Sequence, residues 1–436
     1  MKHTVYEHHL SGGASGLVID VPGSDVVSLQ VRFNSGFQFA DQSVYEVPHV
    51  MEHVLANVTK KHPNPNQFIV QVQKNGAYSN AYTSVDTNGY VYECADFELD
   101  RILDLVEEQL TEPLLAEGPL KIERGNVREE LSRNTTQHAT VCSVALAEAA
   151  YPGMWLNYDT RIAQLPKITV DDLVGHFDKT HTSANARFVV AGSFADRGKK
   201  VADRLDRIFG RLKGGERLER SRDIGHNLVA PIVIKRDIKQ IYYRVGMYFG
   251  ELSEPERRAL TILRTVFAGG MGSRIYGEAR KRGLAYAVSG IGHAEPGNSS
   301  FGFLGYVTED NAKNLFELVS TEYSSVARGQ LTNEELLAAK DLIVGSIKRS
   351  VQTPGDILGW YIDPYDEAGD VRDFQEHLDY LRDVTVDEVV AVAKKAAEAN
   401  RRGMCFLGPV NKEHGKEYNR LLAPLWETSL DKQHIS

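Results

Sequence analysis

The chain has 436 residues, of which 42% are hydrophobic and 25% are charged, and its formal net charge is −9. This length exceeds one ordinary domain, so at least two are expected, and the composition is typical of a soluble globular protein. The acidic balance argues against nucleic acid as a partner, and the sequence has no run of about 18 apolar residues that would predict a membrane span.

The N-terminal residues and the cysteines indicate the compartment. The opening stretch MKHTVYEHHLSGGASG has neither the apolar centre of a signal peptide nor the arginine-rich character of a transit peptide. Cys94, Cys142 and Cys405 are far apart and odd in number, which argues against a disulfide framework and against a CxxC metal site. We therefore expect a reducing compartment, the cytoplasm.

Strand and helix patterns alternate along the first half. VSLQVRFNSG, ending at Gly36, has the alternation of a strand followed by a turn glycine. An apolar segment then contains HVMEHV (His49–Val54), and the apolar residues of Leu99–Leu110 follow a helical stripe. Near the end of this half, ITVDDLV (Ile168–Val174) precedes the strand-like RFVVAG, which ends at Gly192.

The second half repeats these patterns. IYYRVGMYFG ends at Gly250, which follows Gly36 by almost half the length of the chain. VTVDEVV (Val384–Val390) resembles ITVDDLV and lies nearly the same number of residues after it. MCFLG, which ends at Gly408, follows RFVVAG by the same number of residues as VTVDEVV follows ITVDDLV. Similarity at half the chain length predicts a duplicated domain.

The repeat divides the chain into two predicted domains, residues 1–220 and 221–436. The polar stretch KGGERLERSRDIG (Lys213–Gly225) is the predicted linker. Because short strands alternate with helical segments in each half, the predicted fold class is α/β (α+β), with a mixed or antiparallel sheet packed with helices in each domain.

HVMEHV is the segment with the strongest chemical pattern. His49 and His53 are four residues apart, so on a helix both imidazoles can reach a common point, and Glu52 borders the same face. Two imidazoles and a carboxylate can hold Zn²⁺ with one position open, whereas the alternative is two histidines on a solvated helix face. At the offset that relates Gly36 to Gly250, the three positions fall opposite a leucine, a valine and a phenylalanine. Because the equivalent positions of the second half are apolar, the HVMEH motif is interpreted as serving a chemical function and not the packing of the helix.

HxxEH resembles the inverted zincin motif of the pitrilysin-type (M16) zinc metallopeptidases, in particular their short two-domain, processing-peptidase-like members. In that family the third ligand is a glutamate further along the chain, with a second acidic residue about two helical turns before it. Here IERGNVREELSR contains Glu123 and Glu130, seven residues apart and so on one helix face. The resemblance favours Glu130 as ligand, because it directly precedes the apolar Leu131, whereas Glu129 points about 100° away.

Two further segments carry the resemblance. In SNAYTSVDTNGYVYE, the strand at Asn80 and Ala81 resembles the family's exposed edge strand, which pairs with substrate backbone by β-augmentation; an ordinary strand rich in Tyr and Thr is the alternative. FAGGMGSRIYGEARKRGLAYAVSG resembles the family's segment with a substrate-contacting arginine and tyrosine, here Arg280 and Tyr286. The spacing between them is one residue shorter than is usual in the family, so Arg282 remains an alternative.

The resemblance implies a zinc-dependent endopeptidase. His49, His53 and Glu130 would bind Zn²⁺, and Glu52 would act as the general base. Glu123 would orient a ligand, and the arginine and tyrosine of the second half would stabilise the substrate oxyanion.

Family members of this length form half of a clam-like chamber, so the resemblance implies a homodimer acting on peptides or unfolded segments. A heterodimer with a related chain is possible. Two alternatives stay open: a non-catalytic partner subunit of a heteromeric peptidase, as occurs when HxxEH has decayed, and a zinc-binding module without hydrolysis. The intact HVMEH argues against the first, and the carboxylate of Glu52 against the second.

Overall fold

The computed structural model describes residues 2–222, 225–228, 230–295, 297–399 and 401–426. The chain forms two compact units. The first comprises Met1–Arg133, Tyr158–Ser221 and Arg349–Asp373. The second comprises Asn134–Asn157, Arg222–Lys348 and Phe374–Ser436. Each unit therefore includes one helical segment from the opposite half of the sequence, and the domain limits 1–220 and 221–436 stay a prediction.

The first unit contains a six-stranded sheet in the order β1-β2-β6-β3-β5-β4. Neighbouring strands are antiparallel except β2 and β6, which are parallel. The strands are β1 (Thr4–His9), β2 (Ser15–Asp20), β3 (Val26–Asn34), β4 (Tyr78–Thr83), β5 (Thr87–Ala95) and β6 (Ala186–Gly192).

The second unit contains a five-stranded sheet in the order β7-β11-β8-β10-β9. Its one parallel pair in the described residues is β7 with β11, and the other pairs are antiparallel. The strands are β7 (Ile232–Lys235), β8 (Gln240–Phe249), β9 (Ala287–Glu295), β10 (Asn298–Thr308) and β11 (Arg401–Gly408).

The two sheets share a five-strand topology, to which the first sheet adds β1, and this confirms the mixed α/β class. Strands β2-β6-β3-β5-β4 correspond in order and direction to β7-β11-β8-β10-β9. The four strands predicted from the repeat are present as β3, β6, β8 and β11. A helix with a Thr-initiated capping box precedes the last strand of each repeat, with Thr169 and Thr385 as the equivalent N-caps.

Helices cover the sheets. They are α1 (Val47–Asn57), α2 (Gln67–Gln73), α3 (Leu99–Thr111), α4 (Glu117–Asn134), α5 (His138–Ala150), α6 (Tyr158–Gln164), α7 (Val170–Thr180), α8 (Gly198–Phe209), α9 (Glu254–Ala268), α10 (Tyr276–Lys281), α11 (Glu309–Ala327), α12 (Asn333–Ser350), α13 (Pro354–Ala368), α14 (Phe374–Asp383), α15 (Val386–Ala397) and α16 (Lys412–Leu422). The amphipathic helix predicted from Leu99 is confirmed as α3. Across the part of the chain with described structure, every helix is too short or too polar to cross a membrane.

Helix α5 explains why the second unit takes a segment from the first half. Its apolar residues Cys142 and Leu146 pack against Cys405 and Leu407 of β11 and are buried there. This contact covers one face of the second sheet, so α5 belongs to the unit in which its apolar side chains are buried. The predicted linker includes Asp223 and Ile224, which lie outside the described residues.

Helix α1 carries the HVMEHV segment. Val47, Val50, Met51, Val54 and Leu55 recur at helical spacing and are buried, so one stripe of the helix is anchored in the core. Proline occupies the first turn, where its missing N–H costs no helical hydrogen bond. The adjoining stripe, which contains the polar residues of HVMEHV, is thereby held in a defined orientation.

Candidate metal centre

The two imidazoles of α1 and a carboxylate of α4 converge on one point. The rings of His49 and His53 have centroids 4.9 Å apart. Glu130 Oε2 lies 3.6 Å from Nε2 of His49 and 3.7 Å from Nε2 of His53. The neighbouring Glu129 is exposed. The structure therefore brings Glu130, and not Glu129, to the two histidines.

The spacing of these donor atoms suits a tetrahedral ion. Zinc–ligand bonds of about 2.0–2.1 Å separate two ligands of a tetrahedron by about 3.3 Å. The observed distances of 3.6 and 3.7 Å are close to that edge and longer than an ordinary N–H···O hydrogen bond. Two imidazoles with one carboxylate are also a donor set that zinc hydrolases use. His49, His53 and Glu130 therefore fit Zn²⁺ by donor type and by these two distances, and the carboxylate of Glu52 lies beside them.

Each imidazole is oriented through its other ring nitrogen. His49 Nδ1 donates to Oε2 of Glu46 at 2.9 Å, and His53 Nδ1 donates to Oε2 of Glu123 at 3.2 Å. Glu123 also accepts from Nδ2 of Asn57 and of Asn126. Carboxylates in this position select the tautomer whose Nε2 lone pair faces the ligand. Both Nε2 atoms are consequently available to a metal.

The cluster attracts positive charge. Burial lowers the pKa of His53, but Glu123 and Glu130 outweigh this effect and raise it to about 10. The imidazoles of His49 and His53 in turn hold the pKa of Glu130 well below its usual range. Because carboxylates surround the two imidazoles, the site favours positive charge. A divalent metal can provide that charge in place of the protons.

Glu52 lies beside the two histidines but has its own anchor. One of its carboxylate oxygens lies within 4.8 Å of a ring nitrogen of each histidine. Burial raises the pKa of its carboxyl group, and the two histidines and a hydrogen bond oppose that shift. The bond comes from Thr83 Oγ1, which donates to Oε2 at 3.1 Å and itself accepts from Asn88 Nδ2 at 2.6 Å. Glu52 is thus a confined carboxylate next to the cation site.

The predicted substrate strand is at the edge of its sheet. Asn80 and Ala81 lie in β4, which pairs with β5 and ends the strand order. Asn80 is exposed and Ala81 is half-buried. The same strand ends at Thr83, whose hydroxyl contacts Glu52. A backbone edge therefore leads directly to the cluster of His49, Glu52, His53 and Glu130.

Arg280 and Tyr286 belong to the second unit. The Arg280 guanidinium lies 4.3 Å from the centroid of the Tyr286 ring, and Tyr286 is 70% exposed. Both line a cavity of about 300 Å³. Arg282 is exposed at the end of α10. The structure pairs Tyr286 with Arg280 in spite of the shortened spacing.

Four residues that the sequence did not predict, Glu46, Asn57, Thr83 and Asn126, contact the predicted site residues. Glu46 was visible only as an unusual residue three positions before His49, a spacing that places it near the same helix face. Asn126 lies three residues after Glu123 on α4, the same spacing as that from Glu46 to His49. Thr83 and Asn57 had no local signal, because the fold brings each to its carboxylate. Glu46 and Thr83 contact residues of the HVMEHV motif, and the two asparagines contact Glu123, which the family resemblance identified.

The chain matches two family models. The model described as Insulinase (Peptidase family M16) covers residues 17–161, and the model described as Peptidase M16 inactive domain covers residues 167–343. An uncharacterized zinc protease of Streptomyces coelicolor is 22% identical over 96% of this chain and 93% of its own length. The mitochondrial-processing peptidase subunit beta of Caenorhabditis elegans is 24% identical over 44% of this chain and 42% of its own. A protease from Helicobacter pylori, 19% identical, has the same fold, with a TM-score of 0.82 over 93% of this chain and 99% of that one.

Proposed function

Because this chain belongs to peptidase family M16, we propose that it is a zinc-dependent endopeptidase that cleaves peptides or unfolded polypeptide segments. The observation that carries the proposal is the convergence of His49, His53 and Glu130 next to the buried carboxylate of Glu52. The name of the Streptomyces relative supports the same metal and reaction class.

His49, His53 and Glu130 would hold the ion, which supplies Lewis acidity that activates water and polarises a scissile carbonyl. Oε2 of Glu52 accepts from Thr83, so Oε1 takes the proton of the attacking water and returns it to the leaving amine. The hydrogen bond fixes this carboxylate and limits its motion during the transfer.

The substrate would bind as an added strand. An edge strand offers unpaired backbone groups at alternate residues, and β4, which contains Asn80 and Ala81, is such a strand. Backbone pairing is independent of side-chain identity, so it suits peptides and unfolded segments of many sequences. A folded protein has few free strands to offer, which limits its access.

Arg280 and Tyr286 would contribute to a second chain's active site. In the proposed homodimer, each zinc site receives Tyr286 of the partner subunit, whose hydroxyl donates to the developing oxyanion with the adjacent guanidinium.

We further propose the cytoplasm as the compartment, since Cys94, Cys142 and Cys405 are buried free thiols.

The first experiment tests the chemistry. Purified protein should contain about one zinc per chain and hydrolyse a quenched fluorescent peptide, with activity lost to a chelator and restored by zinc. Glu52→Gln should retain the metal and the fold while kcat falls by about 10²–10⁴-fold, because the amide cannot accept a proton. Undiminished turnover by Glu52→Gln would show that Glu52 is not the base, and a metal-free active enzyme would refute the zinc mechanism.

The second experiment tests the shared site. Glu52→Gln and Tyr286→Phe should each be weak alone, whereas a mixed dimer contains one site with both defects and one with neither. Mixing should therefore restore activity towards half of wild type per mixed dimer. Subunit exchange is verified with two different affinity tags, and verified exchange without recovery excludes the shared site.

The competing function is that of a non-catalytic or regulatory subunit in a heteromeric peptidase. Two findings favour it: the second half matches a family model described as inactive, and one relative is named as a subunit of a larger enzyme. The presence of all three zinc donors and of Glu52 in the first half favours catalysis. The purified chain separates the two, since a partner subunit is inactive until the second chain is added.

A further inference from the structure

Glu46 uses both oxygens of its carboxylate in a fully buried position. It is the residue before the first turn of α1 and has no exposed surface. Its Oε2 accepts from Nδ1 of His49 at 2.9 Å, and its Oε1 accepts from Nε of Arg161. Arg161 comes from α6, far from Glu46 in the sequence. The carboxylate therefore links the first metal-binding histidine to a distant cation.

Arg161 is held firmly in place. Its side chain is 9% exposed. The guanidinium lies 4.7 Å from the ring centroid of Phe37, 5.3 Å from that of Tyr158 and 5.6 Å from that of Tyr45. Such contacts stabilise a desolvated cation. Because a guanidinium only donates, the oxygen of residue 46 that faces Arg161 must remain an acceptor.

We propose that Glu46 and Arg161 form a clamp that selects the metal-binding tautomer of His49. The inference rests on the proposed zinc site and adds a regulation of its affinity by residues that do not touch the metal. In the clamp, Arg161 holds Oε1 of Glu46 as an acceptor, and Oε2 of the same carboxylate accepts from Nδ1 of His49, which keeps the ring proton on that nitrogen. The Nε2 lone pair of His49 then faces Glu130.

The two histidines differ in how they are held. The carboxylate that orients His53 is that of Glu123, and it is anchored by two neutral amides, Asn57 and Asn126. The carboxylate that orients His49 is anchored by a caged cation. A guanidinium cation has only donor atoms, so the atom of residue 46 that faces it must be an acceptor. An amide can present either a donor or an acceptor and does not impose this direction. Glu46→Gln exposes this difference.

In Glu46→Gln, Arg161 captures the amide oxygen and turns the NH₂ group towards Nδ1 of His49. That ring nitrogen must then accept, which moves the proton to Nε2 and blocks metal binding. Zinc affinity should fall by about 10–100-fold. In the double variant Glu46→Gln/Arg161→Met the amide is free to rotate and present its oxygen to His49. Affinity should then recover at least tenfold relative to the single variant, a gain that a purely structural pair would not produce.

The experiment measures zinc affinity of the full chain by competition with a chromophoric chelator, so peptidase activity is not needed. Glu117→Gln is the matched control, because Glu117 pairs with Arg124 at 3.0 Å on α4 and, among the residues that the structure describes, has no histidine as a hydrogen-bond or ion-pair partner. Its affinity should equal that of wild type. Thermal unfolding by circular dichroism verifies that each variant is folded, and Met in the double variant can fill the aromatic cage.

Three possible results of the zinc-affinity measurement decide whether the clamp exists. Weak binding by Glu46→Gln with recovery in the double variant supports the clamp. The clamp is refuted if Glu46→Gln binds zinc with wild-type affinity, or if the double variant binds zinc no more tightly than the single variant. Neither result refutes the zinc site. A wild-type chain that binds no zinc overturns the proposed function and the clamp with it.

Discussion

Two buried histidines of the first unit should make the protein sensitive to mild acid. His176, on α7, donates from Nε2 to the backbone oxygen of Ser35 at 2.9 Å and is 7% exposed. Burial lowers its pKa from 6.5 to about 4. His181 is stacked between Phe33 and Phe177, and burial holds its pKa well below 6.5. Both rings are therefore neutral in the folded protein.

The sign and size of the effect follow from proton linkage. Below pH 6.5 the unfolded chain binds a proton at His176 that the folded chain excludes, so the free energy of unfolding decreases as the pH falls. The loss continues until the pH reaches about 4, where the folded form is protonated as well. For a pKa of 6.5 in the unfolded chain and about 4 in the folded one, the loss is about 2 kcal/mol at pH 5. His181 adds a loss in the same direction.

Urea unfolding at pH 7 and pH 5 measures this loss. His176→Gln retains an N–H for the Ser35 carbonyl but has no proton to exclude, so its loss between the two pH values should be about 2 kcal/mol smaller than that of wild type. His9→Gln is the control, because the His9 side chain is 76% exposed. Equal losses in wild type and His176→Gln would refute the assignment of the acid sensitivity to this buried ring.

Three other predictions concern single side chains. Glu130→Ala should lose zinc during dialysis against a chelator, and Glu129→Ala should retain it; the reverse result by elemental analysis would place the ligand one residue earlier. Thr83→Val removes the hydrogen bond that lowers the pKa of Glu52, so the acidic limb of the kcat profile should move to higher pH with zinc content unchanged. Asp366→Asn leaves Arg217 and Arg220 without their carboxylate and should destabilise the protein by about 3–5 kcal/mol in urea. A loss below about 1 kcal/mol would show that water or other groups replace that carboxylate.

The sequence by itself determined the local geometry of the site. HVMEHV lies in an apolar segment, and in the structure this segment is the helix α1, with Val47, Val50, Met51, Val54 and Leu55 buried. The HVMEH spacing then places two imidazoles on a neighbouring face, because residues four apart on a helix are adjacent. The repeated strand patterns likewise predicted a duplicated domain, and two sheets with a common five-strand order are present. These inferences succeed because each depends on neighbours within a few residues or on a direct repeat.

Only the tertiary structure decided which distant residues contact the polar face of α1. Arg161 reaches Glu46 from α6, and Thr83 reaches Glu52 from the end of β4. The allocation of α5 to the second unit depends in the same way on the apolar surface of β11. Periodicity shows that a residue is buried but not which partner it meets, since that partner is set by how the elements pack together. The two imidazoles and Glu123, which orients His53, could therefore be predicted from the sequence, whereas Glu46 and Arg161, which hold His49, were identified only in the fold.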